Sequence, residues 1–249
     1  RGRNIIVTGG EGGIGRGIVR RFVAAGAGVL IHYRSSAERT EAFADELRAE
    51  GHRVETAAAD IREPEDCRRL MAQAVELLGG LDTLVNNAGV QPLQPLEGMT
   101  AEDWAAVVDA NVTGTFSATQ AAVEVMRANG TGGSIIHIAS IEASHPAPNH
   151  AHYCASKAAI VMHARAAALE LGPQGIRVNT VSPGLIDRGD LAESWPQGHA
   201  SWLAHAPLGR TGTLEDIGNA CVFLASPGAS FITGHDLVVD GGMGATPGW

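Results

Sequence analysis

The chain has 249 residues, 45% of them apolar and 18% charged. That balance supports a sizeable buried core and excludes a highly charged disordered polymer. The formal charge of −9 does not provide the basic surface that a nucleic acid requires, and it disfavours acidic partners and anionic membranes.

The elements alternate along the chain. Asn4–Thr8 reads as a buried strand ending at a glycine cluster, and Gly15–Ala25 as a helix with Ile18, Phe22 and Val23 on one face. Strand Gly28–Tyr33, helix Ala37–Glu50, strand Val54–Ala58, helix Glu65–Leu78 and strand Thr83–Asn86 follow. Residues 101–128 carry one long helical pattern. Then come strand Ser134–Ala139, the long helix Ala151–Leu171, strand Arg177–Ser182, helix Leu214–Leu224 and strand Leu237–Asp240. Continuous apolar strands alternating with helices predict an α/β fold: a Rossmann-type, doubly wound parallel sheet in three αβα layers, forming a single domain. The least regular stretch, residues 187–210, holds Trp195, Trp202 and two prolines. A loop of that length is expected to cover a substrate.

Cys67, Cys154 and Cys221 form neither an even disulfide framework nor a metal-ligand spacing. No apolar run is long enough for a bilayer span or a secretory leader. A cytoplasmic protein with reduced thiols and without a metal is expected.

Thr8-Gly9-Gly10-Glu11-Gly12-Gly13-Ile14-Gly15 lies between the first strand and the first helix. Backbone N–H groups at a helix start attract a pyrophosphate, and glycines let it approach, so Gly9, Glu11, Gly12, Gly13, Ile14 and Gly15 are candidate nucleotide contacts. A carboxylate at the end of the second strand would bind a free ribose 2′-hydroxyl. This chain has Tyr33, Arg34, Ser35 and Ser36 there. A guanidinium among hydroxyls suits a 2′-phosphate, which favours NADP(H) over NAD(H); the alternative is that Arg34 is only a solvated strand-end residue.

Tyr153 and Lys157 stand four residues apart at the start of a long helix and share a face. An ammonium beside a phenol is expected to lower the phenol's pKa. Ser140 closes the fifth strand, where ligands gather in open parallel sheets.

With these residues in place, the chain closely resembles the short-chain dehydrogenase/reductase family, in its 3-oxoacyl-carrier-protein reductase-like branch. The glycine loop, Asn86-Asn87-Ala88-Gly89, Asn111 in N-V-T-G-T-F, the Ser140/Tyr153/Lys157 set, Ser182-Pro183-Gly184 and the C-terminal F-I-T-G-H-D-L-V-V-D-G-G-M run all match in order. The resemblance implies an enzyme that interconverts a ketone and a secondary alcohol by hydride transfer with a nicotinamide cofactor. Tyr153 would move the proton, Lys157 would tune it and hold the nicotinamide ribose, and Ser140 would polarise the carbonyl. Asn111 would hold a water linking Lys157 to solvent. Asp60 and Ile61 would meet the adenine, and Asn87, Ala88 and Gly89 would line the cofactor cleft. Pro183, Gly184 and the Ile186 backbone would lie near the nicotinamide. The family often has a threonine a few residues after its proline-glycine pair; this chain reads Leu185-Ile186-Asp187-Arg188.

For the substrate, Ser140, Glu142, His150, Tyr153 and Trp195 are candidates, with Trp202 beside them. Glu142 binds a polar group or faces solvent. His145, His150 and His152 lack a carboxylate spacing for a metal and read as substrate-wall or surface residues. A small free ketone or alcohol is preferred. The alternatives are a 3-oxoacyl group on carrier protein or coenzyme A, docked by a basic rim to which Arg127 contributes, and a catalytically silent nucleotide-binding regulator. The family habit is a homotetramer, built here through alanine-rich faces that include Ala105, Ala106, Ala121, Ala122, Ala158, Ala159, Ala166 and Ala167.

Overall fold

In the computed structural model, which describes residues 2–245, strands and helices alternate almost throughout. They run β1 (Asn4–Val7), α1 (Gly13–Ala24), β2 (Gly28–Tyr33), α2 (Ala37–Ala49), β3 (Val54–Ala58), α3 (Pro64–Leu78), β4 (Thr83–Asn86), α4 (Ala101–Val108), α5 (Gly114–Asn129), β5 (Gly133–Ile138), α6 (Ala151–Leu171), β6 (Ile176–Pro183), α7 (Leu191–Ser194), α8 (Pro196–His205), α9 (Leu214–Ala225) and β7 (Asp236–Val239). The seven strands form one parallel sheet in the order β3-β2-β1-β4-β5-β6-β7.

The strands are apolar on both faces because both faces are covered. Ile5, Val7, Val29 and Ile31 pack into one layer with Ile18, Phe22, Phe43 and Ile217. Ile6 and Leu30, one residue out of phase, pack into the other with Leu70, Met71, Ala118 and Ala164. α1 and α9 touch where a Cβ on Gly17 would fall 2.4 Å from Leu214, so only glycine permits that crossing. The strand order reverses between β1 and β4, which opens a crevice at the carboxyl ends of the strands. No helix among the described residues is long and apolar enough to cross a membrane.

Two segments differ from the sequence expectation. The pattern at 101–128 is not one helix: a π-helical turn, Asp109–Thr113, separates α4 from α5 and carries Asn111. Residues 187–210 are largely helical rather than a loop, because Pro196 occupies the first turn of α8, where its missing N–H costs nothing. The segment is a strap tied at its ends. The Asp187 amide donates to the Gly212 carbonyl at 2.9 Å, and the Gly212 amide to the Leu185 carbonyl at 2.9 Å.

Candidate active site

A cleft of about 870 Å³ runs along the carboxyl ends of the strands. At one end lies the glycine loop. Gly9 and Gly13 adopt positive φ, 58° and 39°, and α1 begins with no side-chain cap and no acid in its first turn. A Cβ on Gly12 would meet only the Arg39 guanidinium, at 4.0 Å, and would otherwise project into the cleft. Free amides, an uncapped helix start and open space fit a dinucleotide's pyrophosphate.

Below the loop, the Thr8 hydroxyl accepts from the Asn87 and Ala88 amides at 2.9 and 3.0 Å. The Asn87 side-chain amide donates to the carbonyls of Thr8 and Gly9 at 2.9 and 3.0 Å. The buried His32 ring accepts from the Gly9 amide at 3.0 Å and donates to the Ala59 carbonyl at 3.0 Å. Burial pushes its pKa down, which keeps it neutral. His32 was not singled out from the sequence; its signal was one polar residue directly after the apolar run Gly28–Ile31, within the same strand.

Arg34, Ser35 and Ser36 line the cleft beyond β2. Arg39 adds a second cation there, 3.3 Å from Glu11 and 3.4 Å from the Ser36 hydroxyl. Asp60 and Ile61 line the opposite wall. Hydrogen bonds from Arg62 hold the Asp60 carboxyl down to about 2, well below its ordinary range. Tyr33 does not line the cleft, because neighbours on a strand point to opposite faces and His32 takes the inward position. Gly15 also lies outside the lining: a Cβ there would fall 2.3 Å from the Gly9 carbonyl, so its role is to let the loop close on the helix.

At the other end, α6 is preceded by Asn149 at φ 64° and presents Tyr153 and Lys157 on one side. Ser140, Tyr153 and Lys157 are all buried and all line the cleft. The Lys157 ammonium lies 5.4 Å from the Tyr153 ring centre and donates to the Ile138 carbonyl at 2.7 Å. The Ser140 hydroxyl accepts from the Glu142 amide at 3.1 Å. Asn111 is 1% exposed and stands behind the cleft wall. Its side-chain NH₂ donates to the Val90 carbonyl and the Ser156 hydroxyl at 3.0 Å each, and its oxygen accepts from the Val90 amide at 2.8 Å.

The expected acidification of Tyr153 by Lys157 is not found in the folded chain. Burial pushes the phenol up to about 12; its hydrogen bond with Ser140 works against that shift, and the Glu142 charge adds to it. Lys157 is itself pushed down to about 8 by burial. Desolvation dominates both groups, and sequence spacing does not report it.

Glu142 lies inside the cleft rather than in solvent. Its carboxylate accepts from His150 at 2.7 Å, from Gln91 at 3.3 Å and from the Cys154 thiol at 3.5 Å. The His150 ring is tilted against Tyr153 with centres 5.8 Å apart. Trp195, Trp202 and His145 complete this wall. His152, in the first turn of α6, is buried, its Nδ1 accepting from the Tyr153 amide at 2.9 Å. Pro183, Gly184 and Ile186 line the cleft beside Gly89 and Ala88.

This is a nucleotide-type cleft ending in a buried serine–tyrosine–lysine set. The family model described as Enoyl-(Acyl carrier protein) reductase matches residues 9–244. The chain is 35% identical to 3beta-hydroxysteroid dehydrogenase 1 of Eggerthella lenta, over 100% of this chain and 96% of that one. It is 33% identical to glucose 1-dehydrogenase 2 of Bacillus subtilis, over 99% and 96%. The crystal structure of a gluconate 5-dehydrogenase from Burkholderia cenocepacia in complex with NADP and tartrate superposes with a TM-score of 0.91 at 31% identity, covering 99% of this chain and 96% of that one. The chain belongs to the short-chain dehydrogenase/reductase family. It is an NAD(P)-dependent oxidoreductase acting on CH–OH groups.

Proposed function

We propose that this enzyme reduces a small, free, polar ketone to a secondary alcohol with NADPH, and runs the reverse reaction when supplied with alcohol. The observation that carries the reading is the burial of the Tyr153 and Ser140 hydroxyls together at the end of the cleft. The nicotinamide supplies the hydride when bound. A phenol pushed up to about 12 keeps its proton at neutral pH, and this is the form that can protonate a carbonyl oxygen. Ser140 donates a hydrogen bond to the same oxygen. Lys157 offers a positive charge next to the phenol as it gives up its proton. Asn111 braces the turn after β4; its backbone carbonyl accepts from the Thr115 hydroxyl at 2.8 Å, and the carbonyl's second lone pair would take the water that leads to Lys157.

The substrate wall supports a hydroxylated molecule. Glu142, His150 and Gln91 offer polar contacts, and the flat rings of Trp195 and Trp202 suit the C–H faces of such a compound. The relatives named for glucose and gluconate agree with this class; the relative named for a steroid does not require it. A carrier-protein substrate is less well supported. Arg127 stands at the end of α5 beside Gln174, next to the amino ends of β5 and β6 and outside the cleft lining, which does not favour a docking rim there. A silent regulator would not need the complete serine–tyrosine–lysine set.

For the cofactor, Arg34, Ser35 and Arg39 support a 2′-phosphate. A second reading, NAD(H), draws on Glu11: one of its carboxylate oxygens is buried without a partner and could accept from a ribose hydroxyl. A homotetramer is supported by the exposed Phe116 on α5 and Met162 and Leu169 on α6. Ala158, Ala159 and Ala166 are exposed beside them, whereas Ala121 and Ala122 face the core. The three free thiols fit a reducing cytoplasm. The test is a screen of polar ketones and 3-oxoacyl thioesters with NADPH and NADH in parallel. The proposal expects hydroxylated ketones and NADPH to give the highest kcat/KM; preference for carrier-bound thioesters or for NADH would overturn the corresponding part.

A further inference from the structure

Arg188 comes from the strap, not from the nucleotide-binding elements, yet it lies on the glycine loop. Its Nε and Cζ are 3.4 and 3.5 Å from the point to which a Cβ on Gly13 would project. It lines the same cleft as Gly12, Gly13 and Ile14. Among the described residues its guanidinium has no ion pair. The adjacent Asp187 carboxylate is committed to the Gly189 and Leu191 amides at 2.8 and 3.3 Å. The nearest acid of the loop, Glu11, pairs with Arg39. An unpaired guanidinium thus overhangs an uncapped helix start that has no acid in its first turn.

Building on the reading of this cleft as a dinucleotide site, we infer that Arg188 clamps the cofactor's pyrophosphate from the strap side. Backbone amides meet the phosphates from below, and a guanidinium presents a planar fork of donors from above. Where the family often has a threonine after its proline-glycine pair, this chain puts a cation that reaches a different part of the cofactor. The residue that grips the phosphates is continuous with α7 and α8, which carry Trp195 and Trp202 over the substrate end.

Two fragments separate the phosphates. ADP-ribose has the pyrophosphate and no 2′-phosphate; adenosine 2′-phosphate has the reverse. Titration calorimetry of the full chain should show Arg188→Ala weakening ADP-ribose by about 10- to 100-fold, the range for a lost charge-assisted contact. It should leave adenosine 2′-phosphate within about twofold, since Arg34, Ser35 and Arg39 are the groups proposed to hold that phosphate. Arg188→Lys should retain part of the affinity, because it keeps the charge without the fork. Arg34→Ala should give the opposite fragment pattern. Arg188 is exposed, so the variants should melt with wild type. Unchanged ADP-ribose binding by Arg188→Ala, with tight wild-type binding, would overturn the clamp alone. A wild-type chain that binds neither ADP-ribose nor NADPH would overturn the dinucleotide reading on which the clamp rests.

Discussion

The imidazole of His32 holds the backbone amide of Gly9 at 3.0 Å. Its far nitrogen reaches the Ala59 carbonyl at 3.0 Å, so one side chain on β2 ties the phosphate loop to the end of β3. His32→Phe fills a similar volume but strands both backbone groups. It should destabilise the fold by about 2–4 kcal/mol, two unmet buried partners at about 1–2 each. It should weaken NADPH binding about tenfold or more by loosening the loop. Thermal melting and a fluorescence titration check both, and wild-type values in both would contradict the tie.

Lys157 illustrates a conflict between stability and use. Its pKa falls from an ordinary 10.5 to about 8 on burial. Between these values the unfolded chain binds more protons than the folded one, so this group makes stability rise with pH from about 8 to 10.5 and leaves its full penalty in place at pH 7. That penalty is at most about 3 kcal/mol, offset in part by the bond to the Ile138 carbonyl. Lys157→Met should therefore lose turnover yet melt higher at pH 7, by about 2–6 °C for a domain of this size. The advantage should shrink by pH 10. A variant that melts lower at every pH would refute the buried-charge account.

The sheet and the meeting of Ser140, Tyr153 and Lys157 in one cleft were legible in the sequence because they depend on pattern. Strands such as Ile5–Val7 are apolar on both faces, and the glycine loop sits between a strand and a helix. The rest depends on quantities that spacing does not carry. Nothing in residues 101–128 breaks the helical period, so the π turn at Asn111 was hidden; it arises where that side chain turns inward to brace Val90. The strap read as irregular because Gly189, Pro196 and Gly198 interrupt its pattern, although a proline can equally begin a helix. The direction of the Tyr153 shift was misread because the neighbouring charge was visible and the burial was not.

On the proposed reading, Glu142 recognises a hydroxyl beside the reacting carbon. Glu142→Gln keeps the shape and removes the charge that holds His150. It should lower kcat/KM for hydroxylated ketones by about tenfold, the scale of one hydrogen bond to a charged acceptor. Simple apolar ketones should change by less than about twofold. The check is a paired kinetic comparison of the two substrate types, and an equal loss on both would point to a general role for Glu142 in holding Ser140 and Tyr153.

In the proposed reaction the Tyr153 hydroxyl transfers the proton. Tyr153→Phe removes one oxygen from a buried ring and leaves the cofactor end untouched. With NADPH and the best ketone from the screen, kcat should fall by about 10²–10⁴-fold, the range for general acid catalysis, while the Kd for NADPH stays within about threefold, as expected for a group whose contribution is confined to the transition state. Turnover by Tyr153→Phe near the wild-type rate, with cofactor still bound, would contradict it.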